Sequence, residues 1–540
     1  MYFKKHSAHG RVLAGLRIAI ACGALAAVAS ASSATPARSA DKPRKRAVAS
    51  ATPATGLENL EKQVQEFTLP NGLRFILVER HDTPIFSFET RVNTGGAQEL
   101  PGITGIAHMM EHMAFKGTER VGTSDYAAEA PLLAAEEKAW QAVLDERRKG
   151  ARADSARLRA ATAAYQEARD KARVPVVSNG FNTLLEQNGA VGINAQTSSD
   201  WTRYFYSIPS NRLELWGVLE GSRLAHPVFR EFYKERDVVY EERRMRTEST
   251  PVGRLIEQFL QAAYTNHPYG YGVIGFPSDL SSFTRTQGEE FYRKYYVAKN
   301  MAVSVVGDVK LADLKNNAEK YWSDVSSAPP PPELDVWEPE QKAERRVLLE
   351  DTAQPYVVIG WHCPAETDPT YPAYEALGDL LGGGTHARLH KLLVKEKKIA
   401  VAVGAGPGLF GAKYPSLFLA FAVPAAGQDP LMVEQELYKA LAEIQKEKPF
   451  TEEELAGYRV RTRASLVAQA EGNESLAEAL VTAQIAFGDW RAFFRQAERA
   501  QSIQPAEVMA AMKKALVRGN RTVAVIIPPQ PETASAEGGH

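Results

Sequence analysis

Two stretches of this chain carry the same order of elements. One, "SFTRTQGEEFYRKYYVAKNMAVSVVG", begins at Ser282, and the other, "SIQPAEVMAAMKKALVRGNRTVAVII", begins at Ser502. Each reads as a polar start, a helix, a short turn with an asparagine, and an apolar strand, with Asn300 and Asn520 in register. Between them runs "SSAPPPPELDVWEPEQKAE", a proline-rich linker over residues 326–344. A repeat divided by a linker restricts the fold to two related units. The length of 540 residues also exceeds what one core accommodates. The predicted fold is therefore α+β, with two homologous lobes, each a mostly antiparallel sheet packed with helices, over 57–325 and 345–530.

The first lobe opens on "QEFTLPNGLRFILVERHDTPIFSFETRV", where Asn71-Gly72 between two apolar runs signals a hairpin and "IFSFETRV" alternates as a strand. Residues 127–175 are dominated by Ala, Glu, Lys, Arg and Leu, with one glycine, Gly150, near the middle. They are predicted to form a helical-hairpin insertion that projects from the lobe, as a solvated spacer or a partner-binding arm.

The ends of the chain read differently. A basic stretch, "MYFKKHSAHGRVLAGLR", is followed by the apolar "IAIACGALAAVASA", and Ala29-Ser30-Ala31 offers small residues for cleavage. Residues 1–31 thus read as a secretory signal peptide, with an uncleaved anchor as the alternative. Residues 32–56 read as a flexible Ala/Pro/Lys-rich linker, and 531–540 as a disordered tail. Cys22 and Cys363 are the only cysteines, so signal removal leaves no internal disulfide. Export without disulfides suits a bacterial periplasm, with no membrane span left after signal cleavage. A formal net charge of −1 offers no global footprint for nucleic acid.

The chemistry concentrates in "GITGIAHMMEHMAFKGT". His108, Glu111 and His112 stand at i, i+3 and i+4, and so share one face of a helix. Both imidazoles there can converge on one ion with a carboxylate beside them. A catalytic zinc site takes three protein ligands and leaves one position for water, whose proton a nearby glutamate can accept. This spacing is the inverse of the HExxH motif. A chance H-x-x-E-H arises in roughly one such chain in a hundred, and two histidines on an apolar helix are expensive to bury without a partner. The third ligand is expected to be a carboxylate from elsewhere. In "FREFYKERDVVYEERRMR", Glu235 and Glu242 lie seven residues apart on one helix face, while Glu241 points elsewhere.

Taken together these residues resemble the pitrilysin/insulinase family of zinc peptidases, which includes mitochondrial processing peptidase. The resemblance covers nearly all of 60–530, with "NGLRFILVER", "GITGIAHMMEHMAFKGT", "GINAQTSSDWTRYF", "HPVFREFYKERDVVYEE", "HPYGYGVIG" and "GGGTHARLHKLL" in family order. It implies that His108, His112 and Glu242 bind one Zn2+ per chain and that Glu111 is the general base. It implies that Glu235 orients a histidine ligand, and that Asn194-Ala195 belongs to an edge strand that pairs with a peptide substrate. The gap between motif and glutamate ligand exceeds the family's usual spacing by about the size of the 127–175 insertion.

The second lobe departs from the family. Active members carry an Arg and a Tyr there, in a pattern like L-R-E-x-x-x-L-A-Y, that can hydrogen-bond a developing oxyanion. This chain has "LVKEKKIAVAV", with Val394 and Val401 at those places and no side-chain donor at either. The expectation is a zinc-dependent endopeptidase for short or unfolded peptides, acting as the catalytic subunit of a heterodimer. Its homologous partner would supply the Arg/Tyr pair, and a homodimer is the fallback. The alternatives are a non-catalytic peptide-binding or assembly subunit, and a processing peptidase dedicated to one precursor.

Overall fold

A computed structural model describes residues 54–529. The signal peptide expected at 1–31, most of the linker expected at 32–56 and the tail expected at 531–540 lie outside the described residues. The last three positions of that linker already belong to a helix, α1 (Ala54–Gln63). No helix among the described residues is long and apolar enough to cross a membrane.

Six strands build the first sheet: β1 (Gln65–Thr68), β2 (Arg74–Glu79), β3 (Ile85–Val92), β4 (Val191–Thr197), β5 (Thr202–Pro209) and β6 (Met301–Gly307). Five build the second: β7 (Arg345–Glu350), β8 (Tyr356–Cys363), β9 (Ala400–Pro407), β10 (Ser416–Pro424) and β11 (Arg521–Ile527). Their spatial orders are β1-β2-β6-β3-β5-β4 and β7-β11-β8-β10-β9. In each sheet one parallel pair, β2 with β6 and β7 with β11, is followed by antiparallel pairs only. Leaving β1 aside, the two sheets match in order and direction, as the sequence repeat predicts.

The helices that bear on the site are α2 (Ile106–Met113), α3 (Tyr126–Arg147), α4 (Ser155–Ala172), α5 (Phe232–Arg243) and α6 (Pro251–Ala263). Two more belong to the repeat, α7 (Arg285–Tyr295) and α9 (Pro505–Ala515), and α8 (Asn473–Phe487) precedes its second copy. The paired asparagines explain why the repeat keeps its shape. Asn300 Nδ2 donates to the Tyr295 carbonyl at 2.9 Å, and Asn520 Nδ2 donates to the Ala515 carbonyl at 3.0 Å. Each thus satisfies a backbone acceptor left open at the end of its helix, α7 or α9, just before the apolar strand.

Strand periodicity places both faces of each sheet in a core. In β2, Phe75 and Leu77 enter the first lobe's own core, while Ile76 and Val78 face Leu476 and Leu480 of α8. In β8, Val357, Ile359 and Trp361 enter the second lobe's core, while Val358 joins Leu255 and Phe259 of α6. Each lobe therefore lends a helix to the other lobe's sheet. A polar latch adds to this joint: Asp200 Oδ2 accepts from the backbone N–H of Ala412 at 2.8 Å, and Asp200 also accepts from the Tyr269 hydroxyl.

The 127–175 segment does form an antiparallel helical hairpin, α3 and α4, with Gly150 at φ +57° between them. It does not project, contrary to expectation. Trp140, Val143, Leu144 and Tyr165 are buried in the first lobe's core, and Trp140 Nε1 donates to the Phe283 carbonyl at 2.9 Å. The Trp140 ring lies 5.3 Å from that of Tyr233 on α5. A few large side chains among many alanines are enough to fold the hairpin down.

Candidate metal centre

Helix α2 is eight residues long and is set in place from both sides. Ile106, Met109, Met110 and Met113 are buried beneath it, which turns Glu111 and His112 toward the opposite side. Its N-terminus has no side-chain cap of its own, since Gly105 precedes it in the left-handed region. The buried Glu99 carboxylate accepts from Gly105 N–H at 2.7 Å and Ala107 N–H at 2.8 Å. Burial pushes that carboxyl up to about 8, against the pull of those two N–H groups.

Helix α5 buries Phe232, Arg236, Val239 and Arg243 along one stripe. The neighbouring stripe brings Glu235 and Glu242 to α2. Glu242 Oε2 lies 3.8 Å from His108 Nε2 and 3.5 Å from His112 Nε2. One ligand atom from each of these three residues lies within 4.8 Å of the others. Tetrahedral ligands about 2.1 Å from a zinc ion stand about 3.4 Å apart, so this nitrogen–nitrogen–oxygen set fits such an ion with small adjustments. Among the described residues this is the only group of its kind.

Several side chains at the site have fixed partners, while buried His108 Nδ1 has none among the described residues. Glu235 Oε2 lies 3.4 Å from His112 Nδ1, and its other oxygen is held by Lys116. Arg246 Nη1 lies 2.6 Å from Glu242 Oε1, leaving Oε2 for the histidines. Glu111 Oε2 accepts from the Thr197 hydroxyl at 2.6 Å, on the last residue of β4. Glu241 sits on the cleft rim, paired with Arg244 and outside the donor set.

The charges sort accordingly. Burial pushes His108 down to about 4, so that imidazole is neutral. Burial opposes charge on His112 as well, but the carboxylates of Glu235 and Glu242 outweigh it and raise the ring to about 9. These carboxylates draw positive charge to His112, whether a proton or a metal ion. Burial raises Glu111 against the hydrogen bond from Thr197. Burial disfavours the Glu235 and Glu242 carboxylates too, yet their cationic neighbours hold both down to about 2.

A cleft of about 1090 Å³ opens over His108, Glu111, His112 and Glu242. Its lining runs from His108 to Ile274, all within the first lobe. A smaller cavity of about 270 Å³ lies on the other side of Glu111 and His112, and Asn194 and Ala195 line it. Both belong to β4, the outer strand of the first sheet. Val394 is half-buried against the second lobe's core and Val401 is exposed; neither lines the cleft. Sequence reasoning missed Lys116, Thr197 and Arg246. Lys116 and Arg246 each follow a member of the triad by four residues and Thr197 closes the "GINAQT" strand, but Lys116 lies past the end of α2 and spacing alone singles out none of the three.

The fold is two-lobed α+β, and its first lobe carries a His-His-Glu donor set that fits a metal ion. A family signature described as "Insulinase (Peptidase family M16)" matches residues 74–142, and one described as "Peptidase M16 inactive domain" matches 282–460. The chain is 27% identical over 424 residues to the zinc protease PqqE of Helicobacter pylori, spanning 76% of this chain and 81% of that protein. It is 22% identical to the uncharacterized zinc protease YmxG of Bacillus subtilis, over 63% of this chain and 69% of that one. A solved protease from Helicobacter pylori shares the fold at a TM-score of 0.71 and 23% identity, covering 86% of this chain and 99% of that one. The first half of the periplasmic protease PqqL of Escherichia coli does so at 0.63 and 17% identity, covering 87% and 92%. These matches support a member of the pitrilysin/insulinase family, peptidase family M16, and a peptidase kind of enzyme.

Proposed function

We propose that this chain is a zinc metalloendopeptidase that cuts short or unfolded peptides in the periplasm, as the catalytic subunit of a heterodimer. The observation that carries the reading is the convergence of His108, His112 and Glu242 with Glu111 held beside them. One zinc ion held by those three residues would polarise the scissile carbonyl and lower the pKa of water. Glu111 takes the proton of the attacking water and passes it to the leaving amine. Its raised pKa favours the second of these tasks, and Thr197 aims it for the first. Glu235, itself held by Lys116, keeps the His112 ring in one orientation. The outer strand β4 offers a backbone edge with which an extended peptide can pair beside Glu111.

Two features support a partner. The second lobe contributes no residue to the cleft, and Val394 and Val401 stand where family members carry hydrogen-bond donors. The partner is a homologous subunit that supplies an Arg/Tyr pair, with a homodimer as the fallback. Export is supported by the charge and apolar order of residues 1–31. Zinc content together with chelator-sensitive peptide cleavage, measured on the chain with and without an associated subunit, tests the reading. Zinc-loaded protein that binds peptides and cuts none in either form would instead assign a binding subunit. Full activity of the chain alone would remove the heterodimer.

A further inference from the structure

The hairpin that folds down on α5 leaves a cavity of about 290 Å³ in the seam between them. Trp140, Val143 and Leu280 form an apolar wall. Three donors on the other residues lining it have no hydrogen-bond partner among the described residues: Tyr165 Oη, Arg169 Nε and Arg236 Nη1. Tyr165 is 6% exposed and Arg236 is 7% exposed. Buried donors are normally satisfied, and three left over in one cavity ask for an acceptor.

The acids nearby do not meet that demand. Asp237 Oδ1 takes the Nη2 side of Arg236 at 3.1 Å and leaves Nη1 free. Buried Glu136 faces Arg285, Arg169 and Arg236, but burial pushes its carboxyl up to about 7, so its charge is only partly present at neutral pH. The guanidinium of Arg236 is fixed by stacking over Trp140, 4.3 Å from the ring centre, and is thus preorganised for an anion.

The cavity also adjoins the metal cleft. Arg169 and Asp237 line both spaces. Arg173, the C-cap residue of α4 four positions after Arg169, lines the cleft too.

We propose that this seam is a carboxylate subsite that takes an acidic side chain of the peptide bound in the cleft. The inference rests on the peptidase reading above. The apolar wall suits the methylenes of a glutamate, and the phenol and two guanidinium N–H groups suit its carboxylate. The hairpin is then a specificity element: it supplies Tyr165, Arg169 and the Trp140 platform.

The test uses zinc-loaded full-length chain with its subunit, and peptide pairs in which one Glu, moved along the sequence, is replaced by Gln. At one position wild type is expected to favour Glu through KM by roughly tenfold, the worth of one charge-assisted hydrogen bond. Tyr165→Phe and Arg169→Gln are each expected to shrink that Glu/Gln ratio, and the ratio rather than the absolute rate is read. N-acetylglutamate amide, but not its glutamine analogue, is expected to compete with the favoured peptide. Equal cutting of every pair overturns the proposal, and competition by the free compound without any peptide preference overturns it in favour of a free-anion site. If wild type cuts no peptide, the peptidase reading fails by itself. Calorimetric binding of the same pairs then decides the subsite: a Glu preference lost in Arg169→Gln supports it, and equal affinity overturns it.

Discussion

In the proposed mechanism the half-buried Glu111 carboxyl acts as both base and acid. Burial raises its pKa and the Thr197 hydroxyl lowers it. Removing that hydroxyl with Thr197→Val is expected to move the acid limb of the kcat/KM pH profile upward, because Glu111 would then hold its proton to higher pH. An unmoved limb would assign it to another group. Glu235 acts one step away, through His112. Glu235→Ala is expected to weaken zinc affinity by roughly 10- to 100-fold, as a competitive chelator titration would measure. That His108, Glu111 and His112 share one side was legible in the sequence because helix spacing alone puts i, i+3 and i+4 together. Arg246 and Lys116 were not, because a charged residue four positions further on is usually solvated, and only the fold shows these two turned onto the site.

Helix α2 owes its footing to Glu99, a carboxyl that the fold keeps largely protonated. Its folded pKa of about 8 lies above its ordinary value of 4.5. The folded chain therefore holds a proton that the unfolded chain releases, and stability from this group falls as pH rises between those two values. Glu99→Gln is expected to flatten that part of the stability profile. The difference in Tm between the two proteins, followed from acid to pH 8, is the measurement, and a constant difference would show that Glu99 titrates alike in the folded and unfolded chain. The hairpin shows the limit of reading an element from composition. An Ala/Glu/Lys/Arg-rich stretch does specify two helices, but their docking rests on Trp140, Val143, Leu144 and Tyr165. Four positions in a long polar segment look like scatter until their partners on α5 are known.

The whole molecule is joined more closely than two lobes and a linker suggest. Asn300 and Asn520 made the repeat visible because each performs the same capping task. The exchange of α6 and α8 between sheets was hidden, since an apolar helix stripe does not say which sheet it covers. Burying each apolar face against the other lobe makes the lobes interdependent. Residues 57–325 or 345–529 expressed alone are expected to be insoluble or molten, and to recover native near-ultraviolet circular dichroism on co-expression. Independent cooperative unfolding of either piece would contradict this.

Everything functional turns on whether His108, His112 and Glu242 hold an ion that Glu111 puts to use. The direct measurement is zinc content and peptide cleavage for wild type and Glu111→Gln, each prepared with any subunit that co-purifies. The expected result is one zinc per chain in both proteins, with chelator-sensitive cleavage in wild type and a loss of roughly 100- to 10,000-fold in the variant. Cleavage by Glu111→Gln at the wild-type rate, or wild type that holds no zinc and still cuts, would contradict it.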